Sequence, residues 1–135
     1  LAAAHRRPCP DIGAGPRLAQ AGVTAMVDVS DGLAGDALHL AEASGTGLEI
    51  DDGAVPLAPG VREAAALLGR DAVELALGGG EDFVLAVALP AGAAATGLID
   101  CGVFTASPQQ RLHRTHAGPA ALSGLAFDHF RAGGM

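Results

Sequence analysis

A β-favouring run, Thr24–Val29, breaks off at Ser30-Asp31-Gly32, and an alanine- and leucine-rich helix pattern, Leu33–Ala43, begins directly behind it. Any fold of this chain must accommodate that strand-to-helix turn. Three oxygen-bearing side chains crowd it: Asp28, Ser30 and Asp31. All are hard donors of the kind Mg²⁺ prefers, and a helix start behind them favours a phosphate oxygen. The same residues admit a structural reading. Ser30 or Asp31 can cap the helix by accepting from an orphan N–H, and Asp28 can be a solvated strand end. The spacing is not that of a calcium loop, because positions five and twelve of D-x-[DN]-x-[DN]-G would fall on Gly32 and His39.

A second segment, Gly78–Asp82, reads GGGED and precedes a strand-like run, Phe83–Leu89. Its glycines let the backbone approach a ligand closely or take positive φ, and two acids follow them directly. Alone, it also reads as a helix-to-strand turn with a solvated acidic end. It is not a P-loop, since no G-K-[ST] follows and the chain has no lysine.

Periodicity supplies the rest of the outline. Leu1–Gly15 is an extended lead-in broken by proline and glycine. Pro16–Ala21 is a short helix. Leu33–Ala43 carries an apolar stripe of Leu33, Ala37, Leu40 and Ala41, with Gly45 closing it. Gly47–Asp51 is a strand. Val61–Leu68 is a helix closed by Gly69, and Asp71 caps a further helix, Ala72–Leu77. Ile99–Thr105 and Arg111–Arg114 are weaker strands, and Gly118–Gly124 is a loop. Strands and helices alternate without βαβ regularity, which predicts an α+β or layered α/β/α domain.

At 135 residues the chain is long enough for one independent core. Half its residues are hydrophobic but only 3% are aromatic, so helices should pack closely with few large anchors. No apolar run approaches the ~20 residues of a membrane span, and an opening without a basic region followed by a long apolar stretch predicts no signal peptide. It begins at Leu1, which predicts a piece of a longer protein. A net charge of −7 argues against nucleic-acid binding and is compatible with recruiting divalent cations. Cys9 and Cys101 show no C-x-x-C pairing and read as thiols of a cytoplasmic protein. His113-x-x-His116 reads as solvated polar residues.

The order DVSDGL, a helix, SGTGLEID, VPL and then GGEDF resembles the C-terminal domain of the thiamine-monophosphate kinase family. That family belongs to the superfamily of aminoimidazole ribonucleotide synthetase, selenophosphate synthetase and the hydrogenase maturation protein HypE. The opening HRRPCP and the closing AFDHF also look like the edges of that domain. Three departures stand out. Asp11 occupies a position where the family usually has arginine, Phe83 one where tyrosine is common, and only Pro90–Gly97 stands where the family usually has a full helix.

The resemblance implies an α+β domain, layered α/β/α with a mixed sheet, spanning residues 1–135. It also implies an N-terminal ATP-binding domain that is absent from this chain. The activity implied is transfer of the ATP γ-phosphate to thiamine monophosphate, Mg²⁺-dependent, in thiamine diphosphate biosynthesis, by a cytoplasmic homodimer. Carried over by position, Asp28 and Asp31 look like Mg²⁺ ligands and Ser30 like an ATP-phosphate contact. Glu81 looks like a substrate contact, and Phe127 resembles the aromatic lying against the thiamine moiety. Asp82 is a weaker candidate that can simply order the turn. No protein nucleophile is implied. Two alternatives stay open: another ATP-using member of the superfamily, and a freestanding non-catalytic binding domain.

Overall fold

A computed structural model describes residues 6–122, 124 and 125. Among these residues the defined helices are α1 (Ala14–Gln20), α2 (Leu33–Ser44), α3 (Val61–Leu68) and α4 (Ala72–Gly78). The strands are β1 (Ala25–Asp28), β2 (Gly47–Asp51), β3 (Leu85–Ala88), β4 (Gly102–Thr105), β5 (Arg111–Thr115) and β6 (Gly118–Ala121). The α+β class and the mixed sheet are as expected, but the strands divide into two sheets. β1 and β3 form an antiparallel pair, with Ala25 opposite Ala88 and Asp28 opposite Leu85. The other four run in the order β4-β2-β5-β6. Within them β2 and β5 are parallel, and the β2–β4 and β5–β6 pairs are antiparallel.

Helix α2 joins the two sheets, packing against β1 and β3 of one and β2 of the other. Its buried line is Ala34, Ala37 and Ala41, while Leu33 and Leu40 are only half-buried. The helix is thus turned slightly from the predicted stripe, so that its smallest side chains face inward and it lies close to the strands. Leu48 and Ile50 of β2, Val55, Leu77 of α4 and Leu122 complete the core, with Phe104 packed at its margin. The larger aliphatic groups contribute about 1.5–3 kcal/mol each on full burial, and the alanines much less. The core therefore gains its volume from strands and α4, and its closeness from α2.

Local signals place most helix ends. Gly45 and Gly69 terminate α2 and α3. Asp71 caps α4, accepting from the N–H groups of Val73 at 2.8 Å and Glu74 at 3.0 Å. Three expectations need correction. The strand expected over Phe83–Leu89 starts only at Leu85, because Phe83 has φ of 52° and cannot continue a ladder. The strand expected over Ile99–Thr105 begins at Gly102. Residues 118–121, expected as loop, form β6. A tight turn at His116-Ala117 folds them back, with Thr115 opposite Gly118. Pro119 is tolerated because β6 is an edge strand and needs no donor on its open side. The Pro90–Gly97 segment makes turns only, with Ala93 N–H donating to the Pro90 carbonyl at 3.0 Å.

Candidate functional site

β1 ends at Asp28, which is exposed, and Val29 behind it is buried. The chain then turns through Ser30 and Asp31, both half-buried, to Gly32 and α2. Pairing with the GGGED segment does not stop where the strands end. Val29 N–H donates to the Val84 carbonyl at 2.8 Å, and Phe83 N–H donates to the Val29 carbonyl at 2.9 Å. Glu81 N–H donates to the Ser30 carbonyl at 2.8 Å. The two motifs, about fifty residues apart in sequence, are thus hydrogen-bonded edge to edge.

Glycine is required on both sides of this seam. A Cβ on Gly80 would stand 2.2 Å from the Ser30 carbonyl oxygen, well inside contact distance. Gly32 has φ of 108°, and a Cβ there would lie 2.9 Å from the Leu77 carbonyl oxygen. Glu81 and Phe83 take positive φ, 65° and 52°, without being glycine. Such conformations persist when the surroundings over-determine them, and they gather at ligand sites.

Ser30 and Asp31 are not caps. The N-cap of α2 is Gly32, without a side-chain cap bond. Both residues stand before the helix, and their own N–H groups are taken by Asp36. One oxygen of that carboxylate, Oδ2, accepts from Ser30 N–H at 2.8 Å and Asp31 N–H at 3.0 Å. Asp36 is 5% exposed. Reasoning from sequence missed its role. The signal was an acid in the first helical turn, five residues after Asp31, which alone reads as favourable helix-dipole placement.

Asp28 and Asp31 thus stand at one turn, with Glu81 carried to its rim. Phe127 lies outside the described residues. Asp82 is exposed, and partial burial pushes its carboxyl above the usual carboxylate range. Among the described residues, no three His, Cys, Asp or Glu side chains converge to hold a metal ion. The donor chemistry fits Mg²⁺ as a partial set: Asp28 and Asp31 would offer it hard carboxylate oxygens.

Beside Asp28 the outer face of the β1–β3 pair forms an open pocket of about 370 Å³. Met26, Leu85, Phe83, Pro10 and Ile12 give it apolar walls. Asp11, which also borders it, is paired with Arg17 of α1. The hydrogen bond from that guanidinium holds the Asp11 carboxyl below its ordinary value. The acid standing where the family usually has arginine is thus itself matched by a cation.

His113 corrects an expectation. It is not solvated: it lies 6% exposed on β5, and its Nδ1 contacts Asp52 Oδ1 at 2.8 Å and Oδ2 at 3.0 Å. Inward alternation along β5 decides this, with His113 opposite Ile50. His116, in the hairpin turn, is exposed. Cys9 and Cys101 are free thiols, and burial together with Asp100 pushes the Cys101 thiol up.

Residues 10–102 match the family described as AIR synthase related protein, C-terminal domain, and the chain belongs to that family. Similar curated proteins include thiamine-monophosphate kinases. That of Methanopyrus kandleri is 42% identical over 85 residues, covering 62% of this chain and 28% of its own length. That of Mycobacterium tuberculosis is 45% identical over 84 residues, covering 60% and 25%. Among solved structures, thiamine monophosphate kinase from Aquifex aeolicus superposes with a TM-score of 0.65 at 33% identity, over 73% of this chain and 34% of that one. A structure of AaThiL complexed with AMPPCP and TMP superposes with a TM-score of 0.60 at 33% identity, over 66% and 29%. The chain thus matches between 25% and 34% of the length of these relatives.

Proposed function

We propose that this chain is the C-terminal part of an ATP-dependent phosphotransferase that moves the γ-phosphate of ATP onto thiamine monophosphate, giving thiamine diphosphate. The observation that carries the reading is the seam itself: the SDG turn with its carboxylates and the GGED turn with its acid are hydrogen-bonded together by backbone groups. Relatives named for this activity, and a neighbour complexed with AMPPCP and TMP, support it.

Both reacting groups are anionic, so catalysis needs charge compensation and in-line alignment more than a protein nucleophile. A bound Mg²⁺ would supply that charge compensation. Asp28 and Asp31 would hold it from this side. The Ser30 hydroxyl would meet an ATP-phosphate oxygen, and Glu81 would meet the thiamine substrate at the rim of the turn. An N-terminal domain outside this chain would supply most of the ATP pocket and the remaining acidic ligands, in a homodimer. A cytoplasmic setting agrees with two free thiols.

The test is a phosphoryl-transfer assay on the full-length protein with thiamine monophosphate, ATP and Mg²⁺. Formation of thiamine diphosphate is expected. A folded full-length protein that consumes ATP only with another acceptor would shift the reading to a different member of the superfamily. One that binds nucleotide but transfers nothing would make it a binding domain.

A further inference from the structure

We propose that Asp36 is a positioning residue: its buried carboxylate sets the backbone of the Ser30–Asp31 turn and so aims the carboxylate of Asp31. The proposal rests on the phosphotransferase reading for what is being aimed, but its geometry stands on its own. Asp36 is the fourth residue of α2, and a helical side chain there leans back toward the N-terminus. It does not cap its own helix. It reaches past Gly32 to two N–H groups that lie outside the helix, at 2.8 and 3.0 Å.

A carboxylate that is 5% exposed is costly unless it is hydrogen-bonded, and these two donors offset that cost. The turn is then held from both edges. Asp36 takes its N–H groups on the helix side, while the Val29 and Ser30 carbonyls accept from Phe83 and Glu81 on the GGED side. No peptide plane between Val29 and Asp31 can rotate without breaking at least one of these bonds. One consequence concerns ligands. The Ser30 and Asp31 N–H groups point at Asp36, so they are not available to cradle a phosphate. Any phosphate contact made by Ser30 must come from its hydroxyl, and the turn presents oxygen donors to a cation.

Three substitutions separate geometry from charge. Asp36→Asn keeps an oxygen acceptor at the same place and removes the charge. Asp36→Glu keeps the charge and moves the acceptor outward by one methylene. Asp36→Ala removes both. Two readouts are taken on the full-length protein: hydrogen-exchange protection of the Ser30 and Asp31 amides, and the Mn²⁺ concentration that half-broadens the amide resonances of residues 28–32.

Positioning predicts that Asp36→Asn stays within about threefold of the parent in both readouts. Asp36→Glu should lose about tenfold in amide protection and need about tenfold more Mn²⁺, a shift of roughly 1.4 kcal/mol in each equilibrium. Asp36→Ala should follow Asp36→Glu. If it does not fold, the Asn and Glu variants decide between them. The proposal is overturned if Asp36→Glu matches the parent while Asp36→Asn does not, since the carboxylate then acts by charge. It is also overturned if thermal stability falls but amide protection and the Mn²⁺ midpoint hold. A parent chain whose Mn²⁺ broadening is unchanged by Asp31→Asn would count against the metal reading instead. Exchange at the Ser30 and Asp31 amides would still decide the role of Asp36.

Discussion

In the β1–β3 region backbone pairing runs on past the strand ends, whereas in the four-stranded sheet side-chain pairs are added to the backbone ladder. The first region brings Gly80 against Ser30 so closely that no Cβ fits, and it closes its turn with three interstrand bonds beyond the strands. The second fastens β2 to β5 with paired polar groups. Glu49 Oε2 accepts from Arg114 Nε at 2.8 Å, its other oxygen accepts from Gln110, and His113 meets Asp52. The difference separates a place built to hold a turn in one shape from a place built to hold strands in register. Backbone seams suit a site because peptide geometry has few alternatives. Side-chain pairs suit a scaffold because a buried partner left alone is expensive.

The comparison breaks first at Asp31. If the full-length protein is the proposed phosphotransferase, Asp31→Asn should lower its turnover by ~10²-fold or more, through loss of charge stabilisation that grows in the transition state, while urea unfolding changes little. Intact turnover would remove the site from this region. Next comes Gly80→Ala, which forces the seam open and should cost ~3 kcal/mol of stability by overpacking. Denaturant titration checks it, and a cost below that of an ordinary surface change would mean that the seam is not tight.

In the other sheet, His113→Ala should cost about 2 kcal/mol, since Asp52 loses its partner at a largely buried position. Turnover of the surviving folded enzyme should not move. A selective loss of activity there would erase the contrast between scaffold and site.

The smallest effect is expected at Asp82. Its folded-state pKa is raised by partial burial, so the native state binds the proton more tightly than the unfolded state. Stability is therefore lost as pH rises from the ordinary value through the raised one. Asp82→Asn should be more stable than the parent at neutral pH by less than about 0.5 kcal/mol, because the group is largely solvated and screened. Below both pKa values the difference should vanish. Melting temperatures at the two pH extremes measure it, and a variant less stable at neutral pH would give Asp82 a role in ordering the turn.

The strand-to-helix turn at Ser30–Gly32, the glycine ends of α2 and α3 and the Asp71 cap were legible in the sequence as local features. Each depends on groups within a turn or two of one another, where residue type and spacing are enough. Tertiary structure decided what depends on distant partners. Phe83 left its strand because Glu81 and Phe83 had to bend to meet Ser30 and Val29. Residues 118–121 became a strand only because Leu112–Thr115 offered them an edge. His113 went inward because alternation on β5 and Asp52, 61 residues away, gave it a buried partner. Asp36, an unremarkable first-turn acid in the sequence, bonds Ser30 and Asp31 only six and five residues away, but in a turn that the distant GGED segment holds from its other edge. Backbone hydrogen bonds and buried charges must find partners wherever the fold brings them, and for Phe83 and His113 those partners lie far outside any local window.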